Sequence, residues 1–301
     1  MCNQGMIIRK TRNSYLIQAK NQCVEGTLSG RLKKEVAAIP LAVGDVVVWN
    51  DKAQITDVLP RRNQLSRRRA APMPSAYTPE QIIAANVDQV VPVFAAANPR
   101  PAWNLLDRYL VSAEASEIPV LICLTKLDLV DGNERAEIEA VAAEYRAIGY
   151  DVVLTSAATG YGLAELKSRL SNRLSAFLGK SGVGKTSLLN AVEPGLGQRV
   201  QAISQATGKG RHTTTASELF TLKTGGAIID TPGIREFGLW DVDGDDLDWF
   251  FPEMRPFVGC CKFHMDCRHD EEPGCAIRQA VVEGQISPYR YQSYLKLRAE
   301  L

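Results

Sequence analysis

The chain lacks any apolar run long enough to cross a membrane as a helix. Its longest, VVPVFAAA at 90–97 and VLICL at 120–124, fall far short of the roughly 20 residues a span needs. Its first residues, MCNQG, have neither the charged nor the apolar part of a secretory signal. Both absences point to a cytoplasmic protein with no membrane partner. Net charge is nearly absent, at +1, and histidine is scarce, with three in 301 residues. Cysteine is odd in number, seven, and Cys260, Cys261, Cys267 and Cys275 crowd into one short segment. In a cytosolic chain such crowding argues for a metal rather than for disulfides. Cys2, Cys23 and Cys123 read as bystanders, the last inside an apolar strand.

What is present is a globular chain, 45% hydrophobic and long enough for two or three domains. The small net charge hides an asymmetry. Residues 1–70 hold 13 Lys/Arg against 5 Asp/Glu, and the remainder is correspondingly acidic. A basic front suits a polyanion such as RNA; a solvated charged surface is the plainer alternative.

Three textures follow one another. Up to about residue 70, short β-patterned runs (MIIRK, SYLIQA, CVEGTL, GDVVVW, AQITDVL) alternate with turns, which predicts a small barrel of the OB type. RRNQLSRRR at 61–69 and a Pro-rich linker close it; those five arginines either grip phosphates or form a hydrated connection. Residues 71–240 alternate strands and helices, as in a mostly parallel sheet covered by helices. Within them Gly149 is expected to stop a helix. Residues 241–301 carry the acidic run DVDGDDLDWF, the Cys/His cluster and two helices, the second with Ser287 as N-cap. The acidic run fails the calcium-loop spacing and reads as a negatively charged helix start.

FLGKSGVGKTSLLN, from Phe177 to Asn190, contains G-x4-G-K-T between a strand and a helix. That predicts a phosphate cradle over Gly179, Lys180, Ser181, Gly182, Val183, Gly184, Lys185, Thr186 and Ser187. Lys185 would reach the β and γ phosphates, and the Thr186 hydroxyl would ligate Mg²⁺. DTPG at 230–233 puts Asp230 near the Mg²⁺ shell and the Gly233 amide near the γ-phosphate. GKGRHTTT between them is a glycine- and hydroxyl-rich stretch whose threonines, Thr214 among them, could close on the metal and γ-phosphate. TKLD (Thr125, Lys126, Leu127, Asp128) supplies a carboxylate for the ring N–H and amine of guanine and a lysine stem for the purine face. In TSA, Ser156 and Ala157 close the next strand, and the Ala157 amide could meet guanine O6. Coupled to the P-loop, these two stretches favour GTP over ATP, because adenine would leave Asp128 unpaired.

TKLD, TSA, GKSGVGKT, GRHTTT and DTPG, in that order, resemble the circularly permuted GTPases. With a basic OB-like front and a Cys/His tail, the whole chain resembles the RsgA (YjeQ) family. The resemblance implies a monomeric GTPase that binds GTP/GDP with Mg²⁺, is stimulated by the 30S particle, contacts 16S rRNA and acts late in small-subunit maturation. It implies that His212 orients the attacking water, since Ile234 stands where many GTPases carry glutamine. It also implies a structural Zn²⁺ on Cys261, Cys267, His269 and Cys275, with Cys260 or His264 as alternatives to Cys261 because CKFHMDC carries an extra residue. Thr125 departs from the family's usual Asn and would replace an amide contact to the purine by a hydroxyl. An alternative class is a nucleotide-gated RNA-binding module, in which hydrolysis is incidental. Because the phosphate-sensing stretches come last before the Cys/His tail, loss of the γ-phosphate is expected to reposition that tail.

Overall fold

The computed structural model describes residues 3–11, 13–20, 22–35, 40–68, 80–197, 218–230, 239 and 242–301. The first five strands are β1 (Asn3–Lys10), β2 (Tyr15–Ala19), β3 (Gln22–Leu28), β4 (Val46–Trp49) and β5 (Gln54–Val58), with α1 (Gly30–Glu35) between β3 and β4. They pair in the order β1-β2-β3-β5-β4, and β4 pairs back onto β1, so the sheet closes. Closure removes the exposed edges that such short strands would otherwise present. Alternate residues point inward: Ile7, Ile17, Val47, Trp49 and Ile55 fill the interior. This is the OB barrel that the turn-punctuated pattern predicts.

The arginine-rich segment behaves differently from expectation. Gln64–Arg68 forms β6, which pairs antiparallel with β7 (Glu80–Ala85). Polar side chains hold the pair, with Gln64 and Ser66 donating to Glu80 at 2.7 and 2.6 Å, and so its hydropathy pattern carries no strand signal. Arg61 forks onto the buried carboxylate of Asp45 at 2.7 Å through each of two nitrogens, and Arg62 meets Asp88 at 2.6 Å. Two of the five arginines are therefore spent on internal partners.

The central sheet contains β8 (Gln89–Ala95), β9 (Leu121–Thr125), β10 (Asp151–Leu154), β11 (Leu174–Leu178), β12 (Glu218–Thr221) and β13 (Ala227–Asp230). Their order is β10-β9-β8-β11-β13-β12, parallel except for β12 against β13. Both faces are buried, so β8 reads as an unbroken apolar run that divides by parity. Val90 and Phe94 face the core covered by α2 (Trp103–Ala115) and α3 (Gly132–Ile148). Val91, Val93 and Ala95 face that covered by α4 (Leu163–Leu170) and α5 (Lys185–Val192). Gly149 ends α3 at φ 114°, as expected. Counted from β11, the strand before the P-loop, the order across the sheet is 2-3-1-4-5-6. The P-loop strand is thus central in space although late in the chain.

The last region packs α6 (Ala276–Val282), α7 (Pro288–Arg298) and three 3-10 turns around Leu247, Phe251, Met254 and Tyr294. Val111 of α2 enters this core, while Leu106, Tyr109 and Leu110 of the same helix face the central sheet. Helix α2 is a wedge shared by two cores. The acidic run is no α-helix start: it leads into a short 3-10 turn, Leu247–Phe250. Ser287 is the N-cap residue of α7, but its hydroxyl donates to Glu144 at 3.1 Å instead of capping. At the other end of the molecule, β1 joins β12 at one ladder pair, Arg9 opposite Glu218. Among the described residues no helix is long and apolar enough to cross a membrane.

Candidate nucleotide site and metal centre

The register brings the expected motifs to one edge of the sheet. Phe177 of β11 lies opposite Asp230 of β13, Ala95 of β8 opposite Thr125 of β9, and Leu124 opposite Leu154 just before TSA. All are carboxyl ends of parallel strands, where open α/β sheets bind ligands. The P-loop turns back sharply at two glycines. A Cβ on Gly179 would lie 2.7 Å from the Val93 carbonyl oxygen, and Gly184 has φ +91° beside the Lys126 stem. Gly184 precedes α5, whose first residue is Lys185.

Lys185 Nζ lies 2.7 Å from Asp230 Oδ1. The contact is an ion pair without hydrogen-bond geometry, which leaves that buried carboxylate oxygen without a hydrogen bond. Lys126 occupies a left-handed backbone position, φ 59°, rare for a side chain of its size. Its ammonium donates to the Gly182 carbonyl at 2.6 Å and to the Asn98 carbonyl. Asp128 is exposed and accepts from the buried Ser156 hydroxyl. Ala157 follows, half-buried, in the same turn.

The side chains of three expected contact residues are turned toward the protein. Thr125 is 3% exposed, and its hydroxyl is directed at the Val183 and Phe94 carbonyls, so it ties β9 to the P-loop. The side chains of Leu127 and Val183 belong to the two cores flanking the sheet. Lys180, Ser181 and Ser187 are exposed, and Thr186 is half-buried. His212, Thr214, Gly233 and Ile234 lie outside the described residues.

In the last region Cys261, Cys267, His269 and Cys275 converge, all buried, with their ligand atoms within 4.8 Å of one another. His269 Nδ1 is 3.4 Å from both Cys261 Sγ and Cys275 Sγ. Cys260 is exposed and faces the Pro256 carbonyl, while His264 is exposed beside the Gly259 carbonyl, so neither joins the cluster. Burial pushes the Cys261 thiol up, but amide donors on Ala276 and Ile277 and the neighbouring sulfurs outweigh it, leaving it below the usual thiol value. Burial lifts Cys267 to about 12 and raises Cys275. The far nitrogen of His269, Nε2, meets Asp248 Oδ2 at 2.9 Å. The Tyr291 hydroxyl donates to the His269 carbonyl at 2.6 Å. Asp248 belongs to the acidic run whose pattern reads as a negatively charged helix start, and nothing in that run signals its contact with His269.

The RsgA GTPase family model matches residues 58–240. The small ribosomal subunit biogenesis GTPase RsgA of Gemmatimonas aurantiaca is 45% identical over 99% of this chain and 97% of its own. The chain belongs to the RsgA GTPase family. Among solved structures, YjeQ from Thermotoga maritima aligns over 100% of this chain and 99% of its own, at TM-score 0.81 and 31% identity. YloQ, a circularly permuted GTPase, aligns over 100% of this chain and 95% of its own, at TM-score 0.74 and 32% identity. As a member of the RsgA family the protein is a GTPase and therefore a hydrolase, and the family implies GTP/GDP and Mg²⁺. The residues present fit both metals. Asp230 Oδ1, which has no hydrogen bond, and the half-buried Thr186 hydroxyl at the start of α5 are hard oxygen donors of the kind that Mg²⁺ takes. Three thiols and an imidazole nitrogen within 4.8 Å form a compact, soft set of the kind that holds zinc tetrahedrally.

Proposed function

We propose that the protein hydrolyses GTP to GDP and phosphate as a maturation factor of the small ribosomal subunit, with the 30S particle as activator and 16S rRNA as its nucleic-acid partner. The observation that carries this reading is the single sheet edge at which Lys126, Asp128, the P-loop and the Lys185–Asp230 pair meet.

The residues divide the work. The amides of residues 182–186 hold phosphate oxygens, and Lys185 leaves Asp230 for the β and γ phosphates. Asp128, held by Ser156, accepts from the guanine ring N–H and amine, while the Lys126 stem covers the purine. Thr125 keeps that base strand in register with the loop. Thr186 and Asp230 would hold Mg²⁺, which would supply positive charge to the phosphates. His212 orients the water that attacks the γ-phosphorus, the bond to the bridging oxygen breaks, and Thr214 and the Gly233 amide face the γ-phosphate. Ile234 can perform no polar task, which fits low turnover in the absence of the particle. Zn²⁺ on Cys261, Cys267, His269 and Cys275 staples a region too small to be stable on its core alone.

In this reading the chain divides at about 1–70, 71–240 and 241–301, and acts as a monomer in the cytoplasm. The basic barrel meets rRNA phosphates, so binding should weaken steeply with salt. Single-turnover GTP hydrolysis against 30S concentration at two salt levels tests the proposal. Acceleration that is lost at the higher salt is expected. An unchanged rate would instead favour the nucleotide-gated binding module, and ATP competing equally with GTP would overturn the base assignment.

A further inference from the structure

Helix α3 directs one stripe away from the central sheet. Glu134, Glu137, Val141 and Glu144, three or four residues apart, border a cleft of about 570 Å³. Its opposite wall is the start of α7, where Tyr289 stands 71% exposed beside the buried Arg290. The floor is apolar, formed by Trp103, Val130, Ile138, Val141, Tyr145 and Ile148. The cleft lies where the core of the GTPase sheet meets that of the Cys/His region, and it is an opening in an otherwise packed junction.

Charge decides what such a cleft accepts. Arg290 offers no free charge, because Asp107 and Glu253 both pair with it. Glu134 and Glu137 are exposed and have no ion pair or hydrogen bond among the described residues. Glu144 accepts only from the neutral Ser287 hydroxyl. Against these three carboxylates stands Arg100. A phosphate backbone is repelled here, whereas a cationic chain carrying an apolar side chain finds both a floor and a rim.

We propose that this cleft docks a Lys/Arg-bearing polypeptide segment from a protein component of the small-subunit particle. An apolar side chain sits on the floor, and its neighbouring cations meet Glu134 and Glu137. The proposal rests on the reading of the chain as a small-subunit factor and goes beyond it by giving the molecule two faces of opposite charge, one for RNA and one for protein.

The test is a photo-crosslinking side chain at Ala140, an exposed residue lining the cleft, in the full chain bound to purified 30S particles with a non-hydrolysable GTP analogue. The expected product is a crosslink to a Lys/Arg-rich stretch of a ribosomal protein. In a Glu134→Lys/Glu137→Lys background the yield should fall on the order of tenfold, with thermal unfolding unchanged because both side chains are exposed. A crosslink to rRNA alone, or none from a chain that still cosediments with 30S, overturns the docking proposal. A chain that fails to cosediment at all overturns the small-subunit reading itself.

Discussion

Arg290 of α7 and Asp107 of α2 form an ion pair of 2.5 Å in which both side chains are at most 3% exposed. The Tyr145 hydroxyl donates to the same Asp107 oxygen, and Glu253 takes the other side of the guanidinium. The pair fastens the Cys/His region to α2 and α3 through three elements at once. Any repositioning of this tail on loss of the γ-phosphate would have to carry α2 with it or break this pair.

Replacing Arg290 by Met strands two carboxylates in that junction. Leaving buried charge uncompensated costs about 3–5 kcal/mol, so urea unfolding of Arg290→Met should show a loss of that order. Adding Asp107→Leu and Glu253→Gln should recover a large part of it. A single-variant loss below about 1 kcal/mol, the range of exposed pairs, would mean that the junction is hydrated.

The Thr125 hydroxyl is tied to the P-loop, so its removal should be felt in nucleotide affinity without a change of base preference. Thr125→Val leaves buried carbonyls short of a donor, a cost of about 1–3 kcal/mol. Calorimetric titration with GDP and with ADP should show GDP binding weakened while the ratio between the two holds. A collapsed ratio would mean that the hydroxyl reads the base.

In the proposed reading Asp128 carries the base choice. Asp128→Asn exchanges a two-fold acceptor for a donor–acceptor pair and should lower GTP affinity by roughly 1–3 kcal/mol while raising affinity for xanthosine triphosphate. Ser156→Ala, which frees the carboxylate to rotate, should weaken GTP without the gain for xanthosine. Equal GTP binding by wild type and Asp128→Asn would remove TKLD from the site.

Asp248 holds the imidazole of His269 by its far nitrogen. Outer-shell partners of this kind are worth about 10- to 100-fold in metal affinity. Competition with a chromophoric chelator should show Asp248→Asn releasing Zn²⁺ more readily by that factor, and chelation should lower the thermal midpoint of both proteins. Unaltered zinc retention would make the contact a packing detail.

For His212 the informative comparison is with and without the particle. His212→Ala should bind GTP normally, lose the 30S-stimulated rate and keep the slow intrinsic one. Wild-type stimulation in the variant would assign the water to another residue.

Much of this was legible in the sequence because its signals are local. The barrel strands alternate between turns, the P-loop and DTPG are contiguous, and the four cluster ligands fall within one short segment. What escaped depends on partners far along the chain. Asp248 meets a histidine 21 residues away, Arg61 closes on Asp45 across 16, and Asp107 finds Arg290 across 183. Periodicity reports which face of an element is apolar; it carries no record of which surface charge will be buried by another element. Thr125 shows a related limit. A motif assigns it to the base, yet whether a small hydroxyl points at ligand or at backbone is decided by the neighbouring strand, here through Phe94 and Val183.

The single ladder pair between β1 and β12 has a mechanical consequence. Strand β12 begins at Glu218, directly after the segment that contains GRHTTT, and Arg9 of the barrel is registered on that first residue. In the proposed reading a displacement of that segment would meet the barrel first at this pair, whereas the Cys/His region is fastened to α2 through Arg290 and Asp107. The permuted chain thus gives the proposed phosphate-sensing segment a direct strand contact with the basic barrel, while the Cys/His region has its own ion-pair anchor on the central helices.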